Sequence, residues 1–245
     1  MLTYKIYKIS TTTTAMVLDI SEHGIDEYIT ANIISICEGD SDTDIDTIKI
    51  RLSDYLLSKT YNQRKGAVAE FYIHLFFRQL GYKQEFLYLN LEENSIKKGF
   101  DGYYTYNNEE WIIESKSGDD TSHSSKITAA YSDLKEKLTT KVKNNPWENA
   151  YNHASHGAVK TDKSLIKKLK QLSNNYIKGI RLPITEYNLV PCGTVFNHDA
   201  TDDVIKDTIY KSIKDLHTSM PAGKLMILAI SNRAYIKFLE YIGIE

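Results

Sequence analysis

Apolar positions recur at helical spacing over residues 63–80. Val68, Phe71, Tyr72 and Leu75 lie three or four residues apart, which is the spacing of one face of an α-helix. Glycine at position 81 follows this run and predicts the end of the helix. Glu70 lies beside the apolar stripe, so the pattern predicts a core helix that carries one acidic side chain next to its buried face.

The rest of the chain alternates between β-prone and helical patterns. The first 50 residues read as a mixture of strand and loop. Strands are predicted at 84–91, 99–106, 109–117, 187–197 and 224–231, and helices at 126–143, 162–176, 202–217 and 233–242. Strands interleaved with helices predict an α/β (α+β) fold, in which helices flank a mixed central sheet.

Length and composition favour one compact domain. The chain has 245 residues, of which 42% are hydrophobic and 25% are charged, as in ordinary globular proteins. We expect residues 1–62 to form an acidic strand and loop region packed on a core. Residues 63–245 would form that core, with a basic helical insertion at about 126–181.

Charge is unevenly distributed along the chain, although the net charge is only −2. Residues 1–50 carry three lysines against nine acids, whereas residues 126–181 carry twelve positive side chains against four acids. A basic block of this size is a candidate surface for a polyanion such as DNA, and solvated lysine-rich helices are the alternative. The candidate nucleic-acid contacts are Lys126, Lys135, Lys137, Lys141, Lys143, Lys163 and Lys167.

The sequence argues against a membrane protein. Its apolar runs are far shorter than the roughly 20 residues that cross a bilayer, and the N-terminus has no signal-peptide pattern. Two cysteines, Cys37 and Cys192, are too few for a disulfide framework. We therefore expect a cytoplasmic protein.

A β-hairpin is predicted around Asn107 and Asn108, because asparagine tolerates the positive φ angles of tight hairpin turns. A two-residue loop places Asp101 directly opposite Glu114, and Lys116 faces the same way as Glu114. A four-residue loop would instead pair Asp101 with Lys116. All three side chains share one face of the sheet in either register.

Two adjacent carboxylates repel each other unless a cation lies between them. Such a pair suits a hard divalent ion such as Mg²⁺, which can activate water and polarise a phosphodiester. Lys116 could orient the water and neutralise developing charge. A solvated ion-pair patch is the alternative. The apolar side chains of Trp111, Ile112 and Ile113 on both faces of this strand favour the functional interpretation, because buried charges need partners.

The segments Phe100-Asp-Gly102 and Ile112-Ile-Glu-Ser-Lys116 resemble the PD-(D/E)xK nuclease superfamily. This resemblance covers roughly residues 64–145 and implies a restriction-endonuclease-like core and cleavage of DNA with Mg²⁺ or Mn²⁺. It implies that Asp101, Glu114 and the Ser115 carbonyl hold the metal, that Lys116 positions water, and that Glu70 binds a second metal or a metal-bound water. The proline that usually precedes the aspartate is replaced by Phe100.

The string Gly99-Phe-Asp-Gly102 and the chain length resemble, more narrowly, the HamA family, the nuclease subunit of the Hachiman anti-phage defence system. This resemblance implies a helicase partner, HamB, that restrains the nuclease. The sequence has no Gly-x-x-x-x-Gly-Lys-Ser/Thr loop, so an ATP-driven step would need another chain. A non-catalytic module that binds nucleic acid or a partner on the same fold, and a restriction endonuclease, are the alternatives.

Overall fold

The computed structural model describes residues 2–89, 99–119 and 122–244. Within these ranges, the strands are β1 (Thr3–Lys8), β2 (Thr13–Ile20), β3 (Lys83–Gln84), β4 (Gly102–Tyr106), β5 (Glu109–Gly118), β6 (Asn188–Phe196) and β7 (Lys224–Asn232). The helices are α1 (Ile25–Cys37), α2 (Ile45–Leu57), α3 (Tyr61–Gln79), α4 (His123–Thr139), α5 (Pro146–Ala154), α6 (Lys163–Ile177), α7 (Asp203–Ile213) and α8 (Tyr235–Tyr241). Short 3₁₀ turns cover Gly157–Val159, Ile184–Glu186 and Lys214–Ser219.

The described strands form one seven-stranded mixed sheet in the order β1-β2-β7-β6-β5-β4-β3. The four central strands, β2, β7, β6 and β5, run parallel to one another. Strands β1, β4 and β3 are antiparallel to their neighbours at the two ends of the sheet. Strands β6 and β7 are buried over almost their whole length, as parallel strands covered on both faces must be. The predicted mixed sheet flanked by helices is confirmed.

Helices cover both faces of the sheet. Helices α1, α2, α3 and α8 share one hydrophobic core with Tyr104, Trp111 and Ile113 of the hairpin strands. Helices α4, α5, α6 and α7 share the other core with Tyr103 and Ile112. Alternate residues of β5 therefore point toward opposite helical layers. Within the described ranges, we find no helix that combines the length and the apolar character needed to cross a bilayer.

The expectation of strand and loop over residues 1–50 is wrong for the part after β2. Helix α1 buries Ile25, Ile29 and Ile33, which recur at helical spacing. The acids before α2 include its N-cap, because the Asp44 side chain accepts a hydrogen bond from the Thr47 backbone N–H. Acidic and polar residues favour this position because they satisfy free N–H groups at a helix start.

The strand predicted at 84–91 is also wrong for most of its described length. Only Lys83–Gln84 pairs in the sheet, and residues 90 and 91 lie outside the described residues. The backbone N–H groups of Tyr88 and Leu89 donate instead to the carbonyls of Ile36 and Cys37. The segment therefore satisfies its backbone at the end of α1 rather than by extending the sheet.

Helix α4 ends four residues earlier than predicted. The Thr140 carbonyl accepts a hydrogen bond from the Tyr176 hydroxyl, which itself accepts one from the Val142 backbone N–H. These bonds hold residues 140–142 against α6. Lys141 and Lys143 consequently lie on a loop and not on the helix.

Candidate active site

The hairpin between β4 and β5 has the predicted two-residue turn. Asn107 and Asn108 have φ angles of 49° and 62°, and Tyr106 pairs with Glu109. The register predicted for the two-residue loop is confirmed along the ladder as far as the pair Gly102 and Ile113. The alternative register with a four-residue loop is therefore wrong.

Strand β5 continues beyond the point where β4 begins, and Asp101 lies at this step in the sheet. The Asp101 backbone N–H donates to the Ile113 carbonyl. Its carboxylate accepts hydrogen bonds from the Ser115 backbone N–H at 2.7 Å and from the Ser115 hydroxyl at 3.0 Å. Since the N–H and C=O of one strand residue point to the same edge, the Ser115 carbonyl is directed toward the edge where Asp101 lies.

Glu114 and Lys116 point from β5 toward α4. The Lys137 ammonium donates to Glu114 Oε2 at 2.6 Å, and Lys116 Nζ lies 3.6 Å from Glu114 Oε1. Lys116 also forms an ion pair with Asp133, one turn before Lys137 on α4. Glu114 is 3% exposed, whereas Lys116, Asp133 and Lys137 remain partly exposed.

Burial and charge repulsion shift the pKa values of both carboxyl groups. Burial, reinforced by the Asp101 carboxylate, raises the pKa of Glu114 to about 8, against the opposing effect of Lys137. Burial and the negative charge of Glu70 raise the pKa of Asp101. Burial acts to lower the pKa of Lys116, but Asp133 and Glu114 outweigh it and the pKa is raised. The fold thus keeps two carboxyl groups close together where their ionisation is unfavourable.

Glu70 approaches from the other side of the sheet. It lies on α3, whose buried face shares a core with Tyr104 and Ile113, whereas Glu114 faces α4. It is buried, and one of its oxygens lies 3.5 Å from His74 Nε2. His74 in turn contacts the Tyr104 hydroxyl through Nδ1. Glu70 therefore belongs to the surroundings of Asp101 but does not share the face of Glu114 and Lys116.

A cleft of about 350 Å³ opens beside these groups. Asp101, Asp133 and Lys137 line it together with the loop that follows α4. Lys143 and Asn144 of that loop add a positive charge and an amide to its wall. The cleft therefore leaves Asp101 accessible from outside the protein.

The structure separates the predicted nucleic-acid contacts into two groups. Lys135, Lys141, Lys143, Lys163 and Lys167 are exposed and available to a polyanion. Lys126 is half-buried, and Lys137 is drawn into the acidic site. Lys137 and Asp133 are the site residues that sequence reasoning did not place there. Their spacing of four residues on the buried side of α4 is the signal that could have indicated them.

The donor set fits a divalent metal ion with few protein ligands. Among the described residues, no three His, Cys, Asp or Glu side chains converge into a ready-made metal site. Mg²⁺, however, is commonly held by one or two carboxylates, with water and phosphate oxygens completing its shell. Asp101, Glu114 and the Ser115 carbonyl offer that kind of partial shell.

The protein has an α/β fold. At the open end of the β4–β5 hairpin, its sheet places the carboxyl groups of Asp101 and Glu114 near the ammonium group of Lys116. A family model for HamA matches residues 5–238, and the chain belongs to the HamA family. This membership indicates a component of the Hachiman anti-phage defence system. No curated protein matches the chain.

Proposed function

We propose that this chain is the nuclease of a Hachiman defence complex and cleaves DNA as a PD-(D/E)xK-type, metal-dependent phosphodiesterase. The observation that carries the proposal is the meeting of Asp101, Glu114 and Lys116 beside an open cleft. Two neighbouring carboxyl groups with raised pKa values favour a proton or a cation between them, and an anionic phosphodiester needs positive charge near the bond that breaks.

Asp101, Glu114 and the Ser115 carbonyl would hold Mg²⁺ or Mn²⁺, and Glu70 would serve a second ion or its water. A bound ion supplies Lewis-acid polarisation of the phosphodiester and favours deprotonation of water. Lys116 is 36% exposed in its side chain, so its ammonium can orient the attacking water and offset developing negative charge. The hydrogen bonds from Ser115 orient the Asp101 carboxylate.

The DNA backbone would follow exposed lysines near the cleft. Lys143 lines the cleft itself, and Lys135 and Lys141 are exposed nearby along the chain. Replacing these three lysines with alanine should weaken DNA binding and flatten its salt dependence by about 0.9 per lost phosphate contact. Fluorescence anisotropy at several salt concentrations measures this slope. An unchanged slope would show that these side chains are only solvated.

A helicase partner, like HamB, would restrain the nuclease until phage or damaged DNA is met. Membership of a defence-system family supports a multi-protein assembly, and the sequence contains no P-loop of its own for an ATP-driven step. In this proposal, energy-dependent steps belong to the helicase partner.

Plasmid cleavage tests the proposal, with the chain alone and with its helicase partner. We expect cleavage with Mg²⁺ or Mn²⁺ and loss of cleavage in excess EDTA. Glu114→Gln and Lys116→Met should each reduce the rate by about 100-fold or more, since removal of groups that only support a metal ligand already costs about 10- to 100-fold. Glu109→Gln and Lys224→Met are matched controls, because these two residues pair with each other at the turn end of the sheet.

The controls should cleave at the wild-type rate. Cleavage that persists in EDTA, or that survives Glu114→Gln, would contradict the proposed site. The second candidate is a non-catalytic module that binds DNA or a partner. The ion pairs Glu114–Lys137 and Lys116–Asp133 favour it, because they engage the site residues with each other. This candidate predicts DNA binding without metal-dependent cleavage, alone or in the complex.

A further inference from the structure

Lys137 forms an ion pair with Glu114, whose carboxylate would bind the proposed metal ion. Its Nζ lies 2.6 Å from Glu114 Oε2, and the Lys137 side chain is 24% exposed against 3% for Glu114. Lys116 lies on the other oxygen of the same carboxylate, at 3.6 Å. Glu114 is therefore already surrounded by two amines from different elements of the fold.

Helix α4 presents complementary charges to the site. Asp133 forms an ion pair with Lys116, and Lys137, four residues later, forms one with Glu114. Residues four apart on a helix lie on the same face. The helix thus offers an acid to the lysine of the site and an amine to the acid of the site.

Lys137 has a second environment within reach. It lines the cleft together with Asp101 and Lys143, so its ammonium needs only to rotate away from Glu114 to face the space where a phosphate would lie. Lysine carries a compact charge on a flexible four-carbon stem, which permits this exchange without movement of the helix.

We infer that Lys137 is an exchangeable counter-ion: it neutralises Glu114 in the resting protein and moves to a substrate phosphate when a divalent cation takes its place. The inference rests on the proposed function. An ammonium and a divalent cation repel each other strongly at one carboxylate oxygen where water is scarce. The release of Lys137 therefore couples metal entry to a free ammonium group in the cleft, which Lys137 already lines.

Metal binding by the full chain tests the first half of the exchange. Mn²⁺ binding is measured by electron paramagnetic resonance for the wild type, Lys137→Met and Lys135→Met. Methionine keeps the aliphatic stem and removes the charge, and Lys135 is an exposed lysine on the same helix. We expect Lys137→Met to bind Mn²⁺ about tenfold more tightly, since a charge-assisted hydrogen bond no longer competes. Lys135→Met should match the wild type.

The second half of the exchange is the movement of Lys137 to a substrate phosphate. We test it by measuring DNA binding without a divalent cation and with Ca²⁺ as a test ion. Lys137→Met should weaken DNA binding more in Ca²⁺ than in EDTA, because Lys137 is paired with Glu114 until a divalent cation occupies that carboxylate. Lys137→Arg keeps the charge and should retain both the weaker Mn²⁺ binding and the DNA affinity. Thermal melting confirms that each variant is folded.

The outcomes separate this inference from the proposed function. If the wild type binds Mn²⁺ and cleaves DNA but Lys137→Met binds Mn²⁺ no more tightly, the exchange is overturned and the nuclease proposal stands. If neither protein binds Mn²⁺, both are overturned. Tighter Mn²⁺ binding in Lys137→Met, joined to weaker DNA binding in Ca²⁺, supports the exchange.

Discussion

Two buried glutamates, Glu38 and Glu114, have similar exposure but opposite electrostatics. Glu38 is 5% exposed and Glu114 is 3% exposed. Glu38 accepts hydrogen bonds from the hydroxyls of Thr43 at 2.6 Å and Ser41 at 3.1 Å, and it pairs with Arg51. Burial acts to raise its pKa, but these hydrogen bonds outweigh it and the pKa is lowered.

Glu114 has cationic partners as well, yet its pKa is raised to about 8. Burial is the largest cause of this rise, and the carboxyl group of Asp101 adds to it, whereas hydrogen bonds from Thr43, Arg51 and Ser41 lower the pKa of Glu38. Burial of an acid is therefore not by itself a sign of function, since neighbouring hydroxyls and an arginine can satisfy it completely. A buried acid that the fold keeps next to another acid has a raised pKa, and it is a candidate for a functional site.

The largest expected effect is the change in the free energy of unfolding when Glu114 is replaced in the metal-free protein. The native pKa of Glu114 exceeds the ordinary value of 4.5, so the folded state binds more protons than the unfolded state between pH 4.5 and about 8. Stability therefore falls as the pH rises through this interval. Glu114→Gln should remove this loss and raise the free energy of unfolding at pH 9 by roughly 2–4 kcal/mol.

Urea denaturation in EDTA measures this effect. The two proteins should differ little in stability at pH 4.5, where Glu114 is protonated in the folded state and half protonated in the unfolded state. A constant difference between the variant and the wild type at both pH values would mean that Glu114 is not held in an unfavourable charged state.

Glu38→Gln should change the free energy of unfolding in the opposite direction and by a smaller amount. The lowered native pKa of Glu38 means that it stabilises the fold above pH 4.5 and that this contribution is lost as the pH falls through its native pKa. Loss of the charged acceptor should cost about 1–3 kcal/mol at pH 7. The same denaturation series, extended to pH 3, should show the difference shrinking. A larger deficit in acid would contradict this assignment.

The Asp101→Asn variant tests whether the charge of Asp101 contributes to the raised pKa of Glu114. Asparagine can still accept hydrogen bonds from Ser115 but carries no charge, so the pKa of Glu114 should fall. In a double-mutant cycle at pH 8, Glu114→Gln should therefore stabilise the Asp101→Asn protein by about 1 kcal/mol less than it stabilises the wild type. Strict additivity would show that the two carboxyl groups do not interact.

The same contrast shows what could be predicted from the sequence. The hairpin was predictable, because Asn107 and Asn108 favour a tight turn, but the sequence left two registers open. Either register brought Asp101, Glu114 and Lys116 to one face of the sheet without further information. Local signals of this kind determine which residues of neighbouring strands meet.

Long-range contacts were less predictable. Its basic sequence context predicts that Lys137 belongs to the DNA-binding surface, yet the packing of α4 on β5 turns it toward Glu114. The first 50 residues read as strand and loop, but Asp44 caps a helix and Glu38 is buried against Arg51. In each case, the partner is distant in sequence or belongs to an element whose packing the pattern does not reveal.

Anomalous diffraction from crystals soaked with Mn²⁺ tests the central claim most directly. We expect a peak about 2.0–2.2 Å from carboxylate oxygens of Asp101 and Glu114, with the Lys137 ammonium moved away from Glu114. Crystals that show Mn²⁺ bound elsewhere, or that retain the Lys137–Glu114 contact and show no peak between these two carboxylates, would contradict it.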